Sequence, residues 1–545
     1  MMNQPSPFGE LELPPLAQRN IAAVFEQALA RAPDKIAVSD PNRQLSYAAL
    51  YELALSFGGG MRALSVDAGQ FVLLMLDNHL DYVVSWLGLA LTGRVEVPVN
   101  TAYKGSILAH VANNSGARVI VIEAAHCAVL AEVIDKVPSL ETIVVRGDPG
   151  ALVFPARIKC LRFEQVFGER ALPAALKPWD LIGILYTSGT TGLSKGVRVT
   201  QAHAYGYATP ALFGAWDPDG VTLCTLPLFH IGGQWAGVYK ALIEGASAVV
   251  LPRFGATSFW DEVRQHRCTH TLLLGAMANF LYRQPPTPTD REHSLRSITM
   301  VPVMAQLEAF KARFGITAVA TGYGLTEGST IIRAPVGHAE PGPAGWLRPD
   351  FEARLVDEHD IEVATGDVGE LIVRSRDPWS VMDGYHQMPE ATVAAWRNQW
   401  LHTGDAFRCD ASGRWTFIDR LKDAVRRRGE NVSSFEVESE INAHPAVLES
   451  AVIAVPSEHS EDEIMACVVL RPGQALSAAA LLDFLDPRMP YFMVPRYLEF
   501  FDQLPKTPTE KIQKQLLRTR GLTAATHDRQ AGQAPRAAGA AAQPK

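Results

Sequence analysis

Between residues 71 and 123, apolar runs alternate with helical spacing, and this alternation restricts the fold more than any other feature of the chain. FVLLML reads as a buried strand. Leu80, Val83, Val84, Leu87 and Leu91 then recur at helical intervals, and VEVPV and VIVIE follow as strands. Strands separated by helices pair in parallel, because a parallel connection needs a long crossover. Further strand candidates at Leu181 to Leu185, Ala248 to Leu251 and Thr271 to Leu274 extend the pattern. The expectation is an α/β fold whose large N-terminal domain, residues 15–420, is built from several subdomains.

Near residue 420 the text turns charged, with DRLKDAVRRRGEN reading as a hinge. About a hundred residues with their own strands, SAVIAV and IMACVVL, follow it. They predict a smaller, mobile α+β C-terminal domain over 421–520. Residues 1–14 are expected to be flexible, and 521–545, rich in Ala, Gly, Gln and Pro, to form a disordered tail.

The stretch LYTSGTTGLSKGVRVT, 185–200, concentrates Thr187, Ser188, Gly189, Thr190, Thr191, Gly192 and Lys195 in one loop. Glycines let backbone N–H groups approach an anion closely, and the hydroxyls and ammonium add side-chain donors. The P-loop of phosphoryl-transfer enzymes is excluded, because counting from Gly189 puts Ser194, Lys195 and Gly196 where it needs Gly, Lys and Ser or Thr. A phosphate nest of another kind is expected.

Composition removes several other classes. At 545 residues and 47% hydrophobic content the chain can bury more than one core, and a net charge of −8 argues against bulk-charge binding of nucleic acid. The six cysteines include no CxxC pair, which reads as reduced thiols in a cytoplasmic protein. The N-terminus has acids and prolines where a secretory signal needs bases and an apolar run, and no apolar stretch is long enough to span a membrane.

Six stretches in order carry a specific resemblance: YTSGTTGLSKGV, GYGLTEGS at 322–329, GELIVRS at 369–375, WLHTGD at 400–405, DRLKDAVRRRGENVSSFEVE at 419–438 and PKTPTEKIQK at 505–514. Together they resemble the adenylate-forming (AMP-binding) superfamily of acyl-CoA synthetases, over residues 15 to 520. The resemblance implies a ligase of fatty or other organic acids. It would join a small carboxylic acid to AMP from ATP, release pyrophosphate, and pass the acyl group to CoA as co-substrate.

The roles that follow are also implied by the resemblance. Thr187 to Lys195 would cradle the β and γ phosphates. Glu327 would be the Mg²⁺ ligand, with Thr187 as second candidate, a hard oxygen pair suited to that ion. Thr326 would donate to the α-phosphate and Tyr323 would cover the adenine. Asp405 would accept both ribose hydroxyls, and Arg420 would donate to the same sugar. Lys422 falls at the hinge, Gly429 would line the pantetheine tunnel, and Arg426 with its neighbours could meet CoA phosphates. Lys511 would be the catalytic lysine of the small domain, with Thr326, Glu327 and His230 completing the catalytic candidates. His230, Gly232, Gly233, Trp235 and Gly322 are expected near the acyl pocket.

Two departures stand out. Val301, Pro302 and Val303 replace a flexible turn beside the adenine, and Glu510 precedes Lys511 where glycine is usual. His230 stands where amino-acid-activating modules carry an aspartate, which disfavours an α-amino acid. A carrier protein as acceptor, a catalytically inactive binding protein and a homodimer remain open alternatives at this point.

Overall fold

The computed structural model describes residues 11–150, 152–187, 194–213, 217–421, 425–427, 430–456, 462–489, 491, 493–507 and 511–531. The chain divides into two units, one of 1–403 with 407–417 and one of 404–406 with 418–545.

In the larger unit a seven-stranded sheet runs in the order Lys159–Arg162, Thr142–Arg146, Val119–Glu123, Phe71–Met75, Val95–Pro98, Leu181–Thr187, Lys195–Thr200. All neighbours are parallel except the last two, which form a hairpin. Strand residues alternate between two cores. Val72 and Leu74 pack with the helix Leu80–Leu91, whereas Leu73 and Met75 pack with Leu108 and Val111 of Gly105–Ser115. Helices therefore cover both faces, as a parallel sheet requires. The helix Leu80–Leu91 is apolar nearly all round and correspondingly buried from Tyr82 to Leu91.

A second, larger sheet carries Val221–Cys224, His270–Leu274, Ser297–Val301 and Ala318–Leu325 in parallel, then Ser329–Ala334 antiparallel to the last of these. A helical segment from Ile231 to Glu244, whose middle stretch Gln234–Tyr239 is a π-helix, packs on this sheet. Among the described residues no helix is long and apolar enough to cross a membrane. All six cysteines are free, and only Cys160 is exposed.

The smaller unit is α+β. The hairpin Val425–Arg427 with Glu430–Val432 precedes the helix Ser434–Asn442, whose N-cap Ser433 accepts from Glu436 N. Val447–Pro456 and Asp462–Leu470 pair antiparallel, and Tyr497–Phe501 adds in parallel. Composition predicts disorder from 521 onward, but residues 521–531 are built into this unit. His527–Asp528 pairs with the strand Tyr497–Phe501. The cause is a buried carboxylate: Glu499, 2% exposed, needs partners and receives hydrogen bonds from Thr523 (2.9 Å) and Thr526 (2.6 Å) and an ion pair from Arg520 (2.6 Å).

Thr526→Val should therefore destabilise the smaller unit by roughly 1.5 kcal/mol or more, the usual worth of a hydrogen bond to a buried charge. Urea unfolding is the measurement, and a loss near zero would show that Glu499 does not order this segment.

Candidate functional site

The loop of interest is held at its ends by the hairpin. Thr187 and Lys195 are cross-strand partners, as are Tyr186 and Gly196, so the strands deliver both ends of the loop to one place. On the far side, His110 Nε2 donates to the Ser194 carbonyl at 2.9 Å, and Tyr186 donates from its hydroxyl to Asn114 at 2.6 Å. Ser188, Gly189, Thr190, Thr191 and Gly192 lie outside the described residues.

Glu327 comes to this hairpin from the turn between Ala318–Leu325 and Ser329–Ala334. That turn is tight because Gly324 lies flat on its neighbour: a Cβ there would meet Ser329 O at 2.7 Å and Thr330 Cα at 2.9 Å. Thr326 is buried beside it. The Thr187 hydroxyl, 3.5 Å from Lys195 O, lies 3.3 Å from Glu327 Oε1, and Tyr385 donates to the same Oε1 at 3.0 Å. Both contacts fall on one oxygen, and among the described residues Oε2 accepts none. The Lys195 ammonium lies 4.9 Å from the centre of the Tyr385 ring, within cation–π range. Burial, with Glu327 beside it, pushes the Tyr385 phenol well above its ordinary range, so it stays a donor.

Tyr385 is the residue that sequence reasoning missed. Asp383 N donates to Arg198 O (2.9 Å), Arg198 N to Gly384 O (3.0 Å) and His386 N to Gly196 O (2.7 Å). This short segment thus adds to the free side of Lys195–Thr200, reinforced by the Arg198–Asp383 ion pair at 2.8 Å. The available signal was GY shortly after GELIVRS, too short to be read alone.

Tyr323 sits two residues from the turn, its ring edge-on to Phe407 (4.6 Å) and parallel-displaced from Phe417 (6.4 Å). The result is a small aromatic shelf suited to a flat heterocycle. His230 caps the segment Ile231–Glu244, accepting from Gly232 N at Nδ1 (3.1 Å). Trp235, expected near an acyl pocket, is fully buried against Tyr207 and His203 and offers no exposed ring for an aromatic cage. Gln234 donates to both oxygens of the wholly buried Glu96 (2.7 and 2.9 Å). Glu96 pairs in the sheet with Gly183 of the strand that ends at Thr187. Burial drives the Glu96 carboxyl well above the usual carboxylate range.

In the smaller unit Asp405 and Arg420 come together, Arg420 Nε lying 3.8 Å from Asp405 Oδ1. Leu421 N donates to Gly404 O, and Gly404 has φ +71°, a left-handed conformation that glycine tolerates without strain. Asp419 accepts from its neighbour Arg420 N (2.7 Å) and from Ser434 N (2.6 Å), anchoring this arm to the following helix. Thr507 N donates to Lys511 O at 2.8 Å, and Lys511 N to the Thr507 hydroxyl at 3.1 Å. Arg426 lies in the strand Val425–Arg427. Lys422, Arg428 and Gly429 lie outside the described residues. Arg427 is not a surface residue: it is buried, pairs with Glu463 at 2.7 Å and donates to Val494 O at 2.9 Å.

A family model described as AMP-binding enzyme matches residues 25–386, and one described as AMP-binding enzyme C-terminal domain matches 436–511. The crotonobetaine/carnitine–CoA ligase of Salmonella typhi is 32% identical over 490 residues, which cover 87% of this chain and 93% of that protein. Among solved structures, an anthranilate CoA ligase in complex with anthranoyl-AMP matches with a TM-score of 0.82 at 26% identity, covering 93% of this chain and 98% of the other. A benzoate CoA ligase from Burkholderia xenovorans LB400 matches with a TM-score of 0.81 at 26% identity, covering 92% and 99%.

The buried Arg427–Glu463 pair generates a test of its own. Arg427→Ala strands a carboxylate in the core and should cost roughly 3–5 kcal/mol in urea unfolding, while Arg427→Met with Glu463→Leu should recover most of that loss. A stable Arg427→Ala would show that this pair does not hold the smaller unit together.

Proposed function

This chain belongs to the AMP-binding enzyme family, and on that premise we propose how its residues divide the work of an ATP-dependent carboxylic acid:CoA ligase. The reaction forms an acyl-AMP with loss of pyrophosphate, and then an acyl-CoA thioester. A carboxylate resists attack because its charge is delocalised. Joining it to the α-phosphorus supplies a leaving group that a thiol can displace.

The observation that carries the assignment is the meeting of Thr187, Glu327, Tyr385 and Lys195 at the ends of the Ser/Thr/Gly loop. The loop, Ser188 to Gly192 with Thr187 and Lys195, binds the β and γ phosphates and orients the departing pyrophosphate. Glu327 through Oε2, with the Thr187 hydroxyl, would hold Mg²⁺, which would supply positive charge against the phosphate oxygens. Tyr385 fixes the rotamer of Glu327. Thr326 donates to the α-phosphate, and Tyr323 on its aromatic shelf covers the adenine.

Asp405 and Arg420 bind the ribose, a carboxylate accepting from its hydroxyls and a guanidinium donating to it. His230 stands at the acyl side. Arg426 and Gly429 serve the CoA half-reaction, and the unit of 421–520 turns about Lys422 between the two halves. Cytoplasmic placement completes the reading.

Two measurements separate these roles. Tyr385→Phe keeps the ring over Lys195 but removes the donor to Glu327. It should weaken divalent-metal affinity roughly tenfold or more, read as Mn²⁺ binding by electron paramagnetic resonance in the presence of ATP. Unaltered Mn²⁺ affinity would remove Tyr385 from the site. Lys511→Ala should slow pyrophosphate release from acid and ATP by on the order of a hundredfold to a thousandfold. It should leave conversion of a supplied acyl-AMP and CoA to thioester nearly unchanged. An equal loss in both halves would contradict the division of labour.

A further inference from the structure

The helix Gly105–Ser115 covers one face of the seven-stranded sheet, yet only part of it faces that sheet. Leu108, Val111, Ala112 and Ser115 are buried at helical spacing. His110 and Asn114, four residues apart, share a face roughly opposite, at about 100° per residue. Such a face ordinarily meets water. Here it meets the two ends of the Ser/Thr/Gly loop.

At one end, His110 Nε2 donates to the Ser194 carbonyl at 2.9 Å. Half-buried Tyr103, just before the helix, hydrogen-bonds the Ser194 side chain. At the other end, Asn114 Oδ1 accepts from the Tyr186 hydroxyl at 2.6 Å. Where the helix finishes, the His386 ring lies against the Asn114 and Ser115 carbonyls, while its backbone N–H donates to Gly196 O at 2.7 Å. One helix thus holds the residue before Lys195, the residue before Thr187 and the residue after Tyr385.

What His110 fixes follows from the peptide bond. The unit joining Ser194 to Lys195 is trans and planar, so its C=O and the Lys195 N–H point in opposite directions. A carbonyl held toward His110 therefore sets which way the Lys195 backbone faces. In an anion nest the binding surface is the set of directions taken by successive backbone groups. Fixing the plane at the end of the nest lowers the ordering cost when the anion arrives. The helix itself does not depend on this contact, since Leu108, Val111 and Ala112 seat it on the sheet.

We propose that His110 is a positioning residue for the triphosphate: through the Ser194 carbonyl it sets the loop that takes the β and γ phosphates, and Asn114 does the same through Tyr186. The proposal rests on the phosphate reading of the loop given above. It gives work in the adenylating half-reaction to a helix that lies outside the six ordered stretches.

The test is calorimetric titration with ATP or with AMP, in Mg²⁺ and without acid so that nothing turns over. The two nucleotides share adenine, ribose and α-phosphate and differ only in the groups the loop takes. His110→Leu should weaken ATP binding roughly five- to tenfold, the effect of one net hydrogen bond, and leave AMP binding unchanged. His110→Gln, whose amide can donate to the same carbonyl, should recover most of that loss. Tyr186→Phe removes only the hydroxyl held by Asn114; it should show the same selectivity for ATP, and it carries the test if His110→Leu does not fold. A parallel loss of ATP and AMP, or no loss of either, would overturn the positioning role. Lys195→Ala separates the two levels: if it leaves ATP affinity intact, the phosphate reading of the loop fails, whereas if it loses ATP and His110→Leu does not, only the role of the helix fails.

Discussion

Much of the candidate site depends on one act of strand addition. Residues 383–386 pair with Lys195–Thr200 through three backbone hydrogen bonds. Each is worth only about 1 kcal/mol net, but their effect is geometric. They fix the direction of Tyr385, and through it the rotamer of Glu327 and the position of Lys195. They also cover the outer side of a hairpin that would otherwise end the sheet as an open edge. Support for the loop and protection of the edge are the same structure.

The division between rigid frame and loop follows from this. Apolar strands and the helix Leu80–Leu91, buried from Tyr82 to Leu91, make a frame that cannot shift by one register without exposing its core. Thr187, Glu327 and Lys195 sit where that frame ends, at strand ends and on the turn between two strands. Precision at Glu327 is thus inherited from the strands on either side of its turn, which Gly324 allows to lie close together.

The sequence made the frame legible wherever burial was two-sided. FVLLML, VIVIE and the helix after residue 80 announced themselves because nothing polar interrupts them. The six ordered stretches made the chemistry legible, since each is local. What escaped was non-local. Tyr385 reaches Glu327 only because a distant segment joins the sheet. Arg427 lies in a charged run that shows no sign of burial, yet Glu463, contributed by the next strand pair, draws it inside. The strand at His527 is two residues long, and its signal was the buried Glu499, far back along the chain.

The Glu96–Gln234 contact ties the strand leading to Thr187 to the segment that begins at His230, and burial raises its carboxyl well above the usual carboxylate range, favouring the protonated form. Between the unfolded value and the raised folded one, folding must therefore take up a proton that the unfolded carboxyl does not hold. The sign is opposite to that of a salt bridge: the contribution is fully present below the unfolded pKa, near 4.5, and is lost as pH rises through the folded value. While Glu96 stays protonated, each pH unit in that interval costs about 1.4 kcal/mol. The link between the phosphate-side strand and the acyl-side helix is thus also a reservoir for one proton.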